Sequence, residues 1–408
     1  MLDAIVIGAR CGGAPTAMLL ARRGYRVLLV DRTRFPSESP NGHFIHMGGP
    51  RQLHSWGLLD QVIAGGCPAV TSFTMDHDDF PLTGRGLEED GVAFGYAPRR
   101  GPLDMILVDA AADAGAEIRE DFGVDGFLWD GPRIVGIRGH DARTGRTVTD
   151  YARIIVGADG RNSLLARTAE ARAYDEAPTQ TCWYSSFWAD MPFNGLEAYV
   201  RGNRIVLAFP THDRLTAVAV GAPIGDLRRF QANLEAEFQA GLNLVPDLAA
   251  RVAAGRRAER FIGMADLPNF YRKPFGPGWA LVGDAGFHKD PFLGLGINDA
   301  FHSAELLANA IHLGFSGQRE LTCALAEYER IRNESSYALY HENLDLAQFK
   351  PLPPEIVQLR RAIRGDQHET NQFFLAREGL IPPESFFNPE NFARLGVVVP
   401  PPLVGAST

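Results

Sequence analysis

The chain has 408 residues, of which 45% are hydrophobic and 22% are charged, and its 43 glycines exceed the usual share of about 7%. This length is more than one hydrophobic core usually supports, so we expect at least two folded units, and the composition excludes a disordered or fibrous protein. The net charge of −9 argues against a general nucleic-acid binder, because such proteins carry basic surfaces.

The four cysteines, Cys11, Cys67, Cys182 and Cys323, are far apart and form no CxxC pair. This pattern argues against a disulfide framework or a structural zinc site, so we expect reduced thiols and no bound metal. The N-terminus shows no basic leader, and no run of about 18 apolar residues could span a bilayer. We therefore expect a cytoplasmic protein without stable membrane insertion.

The first 31 residues are typical of a strand–helix–strand unit. Residues 4–8 form a short apolar run that ends in glycine, residues 14–23 are rich in alanine and leucine, and residues 26–31 form a second apolar run. The unit occupies about 30 residues, which is the length of a βαβ crossover. It predicts an α/β domain with a parallel sheet.

The loop Gly8-Ala9-Arg10-Cys11-Gly12-Gly13 joins the first strand to the first helix. Gly8 and Gly13 match the first and third glycines of the G-x-G-x-x-G dinucleotide fingerprint, and Asp31 stands where an acid accepts ribose hydroxyls. Arg10 replaces the second glycine, so its side chain either turns away or helps to neutralise a phosphate. The alternative interpretation is a tight turn in an α/β domain that binds no dinucleotide.

Blocks of helix and strand follow, and the chain becomes rich in proline after about residue 350, where we expect extended segments or short helices on the surface. In chain order we predict a helix at 103–114, antiparallel strands between 125 and 158, aromatic strands at 181–222, helices at 226–257, a strand at 279–282 and a helix at 297–312.

Two further glycine clusters follow predicted strands. Gly157-Ala158-Asp159-Gly160 ends the antiparallel region, and by itself it could be a hairpin turn. Gly283-Asp284-Ala285-Gly286 follows the strand at 279–282, and the segment PFLGLGIN at 291–298 then leads into a helix. Two glycines beside a helix N-terminus form a nest of N–H groups that binds anions or carbonyls.

In this order and spacing the three clusters resemble those of the group A flavoprotein monooxygenases, which have the para-hydroxybenzoate hydroxylase type of fold. The wider superfamily includes geranylgeranyl reductases and flavin-dependent halogenases. The resemblance covers about residues 1–330 and implies an α/β protein with a Rossmann-like FAD-binding domain, a second, antiparallel-sheet substrate domain and a C-terminal helical and extended segment. We predict the FAD-binding domain at 1–70, 92–175 and 265–330, the substrate domain at 71–91 and 176–264, and the C-terminal segment at 331–408.

The resemblance also implies which residues hold FAD. The first cluster and Asp31 would hold the ADP half, Asp159 and Gly160 would lie near the pyrophosphate, and Asp284 would bind the ribityl or pyrophosphate region. Amides at the start of the helix near residue 297 would face the pyrimidine edge of the flavin, and Arg100 matches a family arginine that approaches the cofactor. The predicted FAD-binding set is Gly8, Arg10, Cys11, Gly13, Asp31, Arg32, Arg100, Asp159, Gly160, Gly283, Asp284, Pro291, Gly294, Gly296, Ile297 and Asn298.

For the reaction, the resemblance implies a monooxygenase that uses NAD(P)H and O₂ and hydroxylates or epoxidises its substrate through a flavin C4a-hydroperoxide. An aromatic sheet face could roof the cavity, so we expect a bulky apolar substrate that is aromatic or polycyclic. The predicted substrate contacts are Tyr184, Trp188, Phe209 and Phe292, each with a core residue as the alternative interpretation.

His43 and His288 are the candidate catalytic residues, because both follow motifs that the family brings close to the flavin. For each, the alternative is a surface or structural histidine. A homodimer remains open.

The sequence departs from the monooxygenase pattern at Phe287-His288-Lys289-Asp290, which replaces a commoner Ala-His run, and at Ser303, where aspartate is frequent. These departures leave a flavin-dependent reductase of isoprenoid double bonds, or a non-catalytic FAD-binding protein, as alternatives. A halogenase is less favoured, because the expected W-x-W-x-I-P segment is missing: no two of the five tryptophans are two residues apart.

Overall fold

The computed structural model describes residues 1–39, 42–46, 48–191, 193 and 195–398. Within these residues, two large β-sheets organise the chain, and helices cover both. None of the described helices combines the length and the apolar character that crossing a membrane requires.

The first large sheet has a parallel core that an antiparallel meander extends. Leu2–Ile7 pairs in parallel with Val27–Val30 on one side and with the end of Thr147–Gly157 on the other. Trp279–Leu281 adds in parallel to Thr147–Gly157. The central strand is apolar along most of its length because helices or further strands bury both of its faces. The sheet is completed by Glu117–Arg119, Phe122–Asp130, Arg133–Asp141 and Phe275–Gly276.

Helices pack on this sheet much as the sequence predicts. The strand–helix–strand unit is confirmed, with the helix at Gly13–Ala21, and the predicted helix at 297–312 extends over Gly296–Phe315. The 27-residue helix Leu321–Ala347 lies beside it and was not recognised, because its charged surface hides a narrow buried stripe. The remaining helices of this part are Gly49–Ser55, Leu59–Ala64, Arg100–Asp113 and Leu164–Thr168.

The second large sheet is mainly antiparallel, with one parallel pairing between Leu196–Arg201 and Phe73–His77 that the sequence did not predict. One face of the sheet is buried under the helices Leu227–Ala232, Leu234–Asn243 and Pro246–Ala254. Its other strands are Leu82–Gly84, Thr181–Ala189, Arg204–Pro210, Thr216–Pro223, Arg256–Arg257 and Ile262–Met264.

Small sheets connect the two parts. One contains Ala173–Ala177, Asn269–Arg272 and Phe287–His288, and another contains Ile45–His46, Ala69–Val70 and Gly95–Tyr96, with the short pair Glu88–Glu89 and Val92–Ala93 beside it. The chain passes between the two large sheets more than once, and the domain limits at 1–70, 71–91, 92–175, 176–264, 265–330 and 331–408 stay a prediction.

The C-terminal segment is more ordered and more buried than its prolines suggest. Its helices are Pro354–Ile363, Gln367–Arg377, Pro383–Phe386 and Pro389–Arg394. Phe374 is fully buried and its ring lies 4.9 Å from that of Phe73 on the second sheet. Arg360 is 1% exposed, and its Nη2 donates to Asp79 Oδ1 at 2.8 Å and to the Phe80 carbonyl at 2.8 Å. This segment is therefore part of the hydrophobic core beside the second sheet.

We predict that Arg360→Met lowers the free energy of unfolding by about 3 kcal/mol, because it leaves the Asp79 carboxylate and a buried carbonyl without their donor. Thermal and urea unfolding measure the loss. Arg361→Met, at the exposed neighbouring position of the same helix, is the matched control and should unfold like the wild type. Equal stability of the two variants would contradict an anchoring role for Arg360.

Candidate functional site

Three strand ends meet at one edge of the first sheet. The Gly8 amide donates to the Val30 carbonyl at 2.8 Å, and the Ala158 amide donates to the Ile7 carbonyl at 2.8 Å. The Val282 amide donates to the Gly157 carbonyl at 2.9 Å. All three predicted glycine clusters begin at this edge, which in open α/β sheets is the side where ligands bind.

Glycine is required where the loop at residues 8–13 crosses the loop at residues 157–160. Gly8 has φ +100°, and a Cβ built on it would lie 2.4 Å from the Ala158 carbonyl oxygen. A Cβ on Gly13 would lie 1.8 Å from the Gly8 carbonyl oxygen. Both distances are shorter than any side chain tolerates, so these positions hold the loop and the helix N-terminus against the sheet edge.

A cavity of about 960 Å³ opens at this edge. Gly13 and the Asn298 side chain lie behind its wall: Gly13 packs on Gly8, and Asn298 Oδ1 accepts from the His46 amide at 3.2 Å. The other residues of the predicted FAD-binding set line the cavity: Gly8, Arg10, Cys11, Asp31, Arg32, Arg100, Asp159, Gly160, Gly283, Asp284, Pro291, Gly294, Gly296 and Ile297.

The side chain of Arg10 is directed toward the helix Arg100–Asp113. Its Nη1 donates to the fully buried carboxylate of Asp104, and its Nη2 donates to Ser37 Oγ at 3.1 Å. Arg100 donates to the same carboxylate at 3.0 Å. Of the two alternatives for Arg10, the structure thus favours a guanidinium held to one side, with two arginines sharing one acid at the cavity wall.

This cluster also fixes the state of the neighbouring thiol. Cys11 Sγ donates to Asp104 Oδ1 at 3.6 Å. Burial, together with the nearby carboxylate, raises the pKa of Cys11 to about 12, so the thiol stays protonated. Cys11 is therefore a small apolar wall residue, not a nucleophile.

The two predicted acids at the ADP end are partly engaged by the backbone. Asp31 Oδ2 accepts from the Ala9 amide at 2.8 Å, and Oδ1 accepts from the Thr33 amide at 2.8 Å, which leaves lone pairs for further donors. Asp159 Oδ2 accepts from the Leu164 amide at 2.6 Å, and burial raises the pKa of its carboxyl.

The third cluster delivers a helix N-terminus to the cavity. Gly294 has φ +68°, which lets the chain turn into the helix that begins at Gly296. Ser303 Oγ accepts from the Gly283 amide at 3.1 Å, so the residue that replaces a frequent aspartate ties the helix to the Gly-Asp loop. The free N–H groups of a 20-residue helix give this end of the cavity partial positive charge.

The second sheet forms an apolar chamber at the other end of the cavity. Its strand Thr216–Pro223 carries the small residues Ala217 and Ala219, which pair with Phe187 and Ser185 on one side and with Phe209 and Leu207 on the other. Small residues between two rows of large ones leave a concave space in the sheet face. The lining side chains from this sheet are Trp183, Ser185, Phe187, Leu207, Phe209, Ala217, Ala219, Ile262 and Met264.

The placement of three predicted substrate residues is corrected. Tyr184 and Trp188 lie on the opposite face of their strand, where Tyr184 stacks on Phe230 at 4.9 Å and Trp188 stacks on Phe238 at 5.8 Å. Phe292 lies behind the wall, edge-on to Trp183. Side chains alternate between the two faces of a strand, so the odd-numbered residues of Thr181–Ala189 face the chamber. Composition alone does not show which of the two faces points inward.

Phe209 lines the chamber, and its role as a substrate contact stays a prediction. Sequence reasoning did not select Phe187 and Arg99, which also line the cavity. The signal for Phe187 was available, because it shares the strand face of Trp183. For Arg99 the sequence offers no comparable signal. It stands just before the helix Arg100–Asp113, and only its neighbour Arg100 matches a family motif.

Both candidate histidines line the cavity. His43 is buried against Phe187 and Phe209, at ring distances of 5.4 and 5.3 Å, and its Nε2 has no partner among the described residues. Burial, with Arg99 and Arg100 nearby, lowers the pKa of His43 to about 3, so its ring is neutral. The catalytic roles of His43 and His288 stay predictions.

His288 is held by the backbone. Its Nδ1 hydrogen-bonds the Pro268 carbonyl, and because a carbonyl only accepts, Nδ1 carries a proton. The ring stacks on Phe270 at 5.9 Å. Within the described ranges, no cluster of His, Cys, Asp and Glu has the arrangement of a metal site.

Asp290 joins the chamber to the loop at 291–298. Trp183 Nε1 donates to Thr181 Oγ1 at 2.7 Å, and Thr181 donates to Asp290 Oδ2 at 2.6 Å. The Phe292 amide donates to Asp290 Oδ1 at 3.1 Å. Asp290 is 1% exposed, and burial raises the pKa of its carboxyl to about 6 despite these donors. The chain of bonds sets the indole of Trp183 relative to the helix N-terminus.

The wall of this cavity fits FAD. Its glycine loops leave room for a ligand to approach the backbone, and the volume exceeds what a small metabolite alone needs. Arg100 Nε and Asp159 Oδ1 are buried wall atoms without partners among the described residues, and a polar cofactor supplies such partners. The two ends, one polar and one apolar, match a dinucleotide next to a substrate chamber.

Comparisons with known proteins point the same way. The sequence model of a family described as an FAD binding domain matches residues 1–243. The chain is 25% identical to tryptophan 2-halogenase of Chondromyces crocatus over 80% of this chain and 64% of that protein, so it spans less than two thirds of that relative. It is 25% identical to digeranylgeranylglycerophospholipid reductase of Methanothrix thermoacetophila, over 85% of this chain and 87% of the reductase.

Kynurenine 3-monooxygenase of Stenotrophomonas maltophilia is also 25% identical, over 80% of this chain and 75% of that protein. Among solved structures, the myxobacterial chondrochloren halogenase superposes with a TM-score of 0.77 at 24% identity, over 83% of this chain and 81% of that one. The predicted α/β fold is thereby confirmed. The three reaction classes that the motifs suggest all occur among the relatives.

We predict that Gly13→Ala weakens FAD binding at least tenfold, because the new Cβ would strike the Gly8 carbonyl and push the helix N-terminus off the sheet edge. Titration of apoprotein with FAD measures the change. Gly225→Ala, at a position with open space around it, controls for the substitution itself. Unchanged FAD affinity in Gly13→Ala would show that the loop is not the cofactor cradle.

A second prediction concerns Asp290. Because its folded pKa lies above its unfolded value, the folded state keeps a proton that the unfolded state has lost, so its contribution to stability falls as pH rises from about 4 to about 6. Relative to Asp290→Asn, the wild type should lose about 2 kcal/mol of unfolding free energy between pH 4 and pH 7. Urea unfolding at both pH values measures this difference.

Asp190→Asn is the control for Asp290→Asn, because the Asp190 side chain is 75% exposed and should show no such dependence. A difference between wild type and Asp290→Asn that is constant with pH would mean that Asp290 is ionised throughout.

Proposed function

The chain belongs to the FAD-binding domain family, and on that premise we propose that it is a FAD-dependent monooxygenase using NAD(P)H and O₂. Its substrate in this proposal is a largely apolar small molecule, aromatic or polycyclic, that becomes hydroxylated or epoxidised. One observation carries the proposal: a single cavity is lined by the FAD motifs at one end and by the aromatic face of the second sheet at the other.

The residues that would hold FAD follow from this cavity. The loop from Gly8 to Gly13 and Asp31 would hold the ADP half, Arg100 and Asp284 the middle of the cofactor, and the amides at Gly296 and Ile297 the flavin. When bound, FAD would supply hydride acceptance from NAD(P)H and the activation of O₂. The kinship to kynurenine 3-monooxygenase supports this reaction class.

The protein's own contribution is orientation, charge and exclusion of water. The partial positive charge at the start of the helix Gly296–Phe315 would stabilise negative charge on an adjoining ring. The apolar chamber wall would keep water from the reacting atoms. Asp290, through Thr181, holds the Trp183 indole in one orientation in the chamber wall. His43, neutral and without a partner at Nε2 among the described residues, would offer that atom for a hydrogen bond to a ligand.

The cellular location that we propose rests on the cysteines. Cys11, Cys67 and Cys182 are buried free thiols and Cys323 is an exposed one, which suits a reducing cytoplasm. The implied partners are O₂ and a small molecule. A homodimer stays a prediction.

The test is NADH and NADPH oxidation by the purified FAD-loaded protein, in air and under argon, with a panel of neutral aromatic and polycyclic compounds. We expect consumption that a substrate stimulates, that needs O₂, and that yields a product heavier by one oxygen atom. A product that gains two hydrogens under argon would assign the chain to the reductases instead. A product whose formation requires halide would assign it to the halogenases.

We further predict that His43→Ala lowers substrate-dependent turnover at least tenfold while FAD stays bound, because the chamber loses a buried neutral ring whose Nε2 is free to hydrogen-bond a ligand there. Steady-state rates and the visible spectrum of the flavin measure the two effects. His302→Ala, on the exposed side of the helix Gly296–Phe315, is the control and should behave as wild type. Wild-type turnover in His43→Ala would remove this residue from the mechanism.

A further inference from the structure

We propose that Glu259 sets the charge preference of the chamber: by neutralising Arg99 it makes the site select uncharged aromatic ligands over carboxylates. The proposal rests on the proposed function for the identity of the chamber as the substrate site. It adds the substrate's charge class and one residue that determines it.

Arg99 is a fixed cation in the chamber wall. Its side chain is 14% exposed, and its guanidinium carbon lies 4.2 Å from the centre of the Phe187 ring. Nη1 donates to Glu259 Oε1 at 2.6 Å and Nη2 donates to Glu259 Oε2 at 3.2 Å. This two-pronged pairing uses the N–H edge of the guanidinium that a ligand carboxylate would otherwise occupy.

The position of Glu259 is set by the sheet. The Ala258 amide donates to the Phe187 carbonyl at 2.8 Å, and Ser186 Oγ donates to the Glu259 carbonyl at 2.7 Å. The Glu259 side chain is 34% exposed, so it reaches Arg99 from the solvent side of the wall. A strand contact thus places the carboxylate, and its pairing with Arg99 does not depend on a ligand.

The other charges around Arg99 do not change this balance. Glu38 Oε2 lies 4.0 Å from Arg99 Nη2, but its side chain is 63% exposed and solvent screens the interaction. The Arg99 amide donates to His212 Nδ1 at 3.0 Å, and burial lowers the pKa of His212, which favours its neutral form.

At the chamber end of the cavity wall, the side chains of Lys289, Asp290 and His43 are also paired or neutral. Lys289 Nζ lies 2.9 Å from Asp299 Oδ2, and Asp290 is held by its donors. His43 is neutral. A carboxylate entering the chamber would lose its hydration without meeting an unpaired cation among these described residues. An uncharged ring meets Trp183, Phe187 and Phe209, whose faces suit it.

Removing the charge of Glu259 should therefore reverse the preference. In Glu259→Gln, Arg99 keeps its place over Phe187 but carries uncompensated positive charge, which a ligand carboxylate could neutralise.

The experiment measures the dissociation constants of 2-naphthol and 2-naphthoate, which share one ring system, on the FAD-loaded protein by perturbation of the flavin absorbance. We expect the wild type to bind 2-naphthol at least tenfold more tightly than 2-naphthoate. In Glu259→Gln the ratio of the two constants should move at least tenfold toward 2-naphthoate. Glu235→Gln, which removes an exposed partner of Arg257, is the matched control and should leave the ratio unchanged.

The double variant Arg99→Leu/Glu259→Leu removes both charges and should keep the wild-type preference for 2-naphthol, which separates a charge effect from damage to the fold. A ratio that stays the same in Glu259→Gln overturns the proposal, as does a wild type that binds 2-naphthoate equally well or binds neither probe. The readout needs no turnover, so failure of the monooxygenase reaction would leave this outcome independently visible.

Discussion

The close approach of Gly8 to Ala158 is the contact on which the site depends. A Cβ at Gly8 would come within 2.4 Å of the Ala158 carbonyl oxygen, so the first loop can cross the second only as bare backbone. That crossing aligns the carboxyl ends of Leu2–Ile7 and Thr147–Gly157, and Trp279–Leu281 joins them by ordinary parallel pairing. Three segments far apart in sequence thereby present their loops to one cavity, and the helix that starts at Gly296 points its free N–H groups into it.

The far end of the cavity follows from side-chain size and charge pairing. Ala217 and Ala219 on the strand Thr216–Pro223 leave a hollow beside Phe187, Leu207 and Phe209 on the neighbouring strands. Each fixed charge described at this end has a partner, as with Arg99 and Glu259 or Lys289 and Asp299. Beside the Gly8–Gly13 loop, Asp104 pairs with two arginines at once, which explains how an arginine can stand at a fingerprint position that normally needs glycine. The Cys11 thiol beside it remains protonated for the same reason of burial.

The sequence was most informative where backbone geometry limits the choice of residue. Gly8 and Gly13 could be placed at the sheet edge because only glycine satisfies such close backbone approaches, whereas the cofactor role of Asp31 stays a prediction. Side-chain placement was less accessible: Tyr184 and Trp188 have the composition of a substrate wall, but strand parity directs them into the helical core. The buried role of Arg360 depends on tertiary contacts between distant segments, and local pattern carries no record of such contacts. Proline-rich composition likewise suggested a surface wrap where apolar side chains in fact complete a core.

The central claim is that one cavity holds FAD at the glycine loops and the substrate against the aromatic sheet face. A crystal structure of the protein with FAD and a bound neutral aromatic ligand tests it most directly. The account predicts the pyrophosphate beside the Gly8–Gly13 loop, the flavin ring against residues 294–297, the guanidinium of Arg10 still on Asp104, and the ligand between the flavin and Phe187. A flavin ring outside this cavity, or a ligand packed against Tyr184 and Trp188, would contradict it.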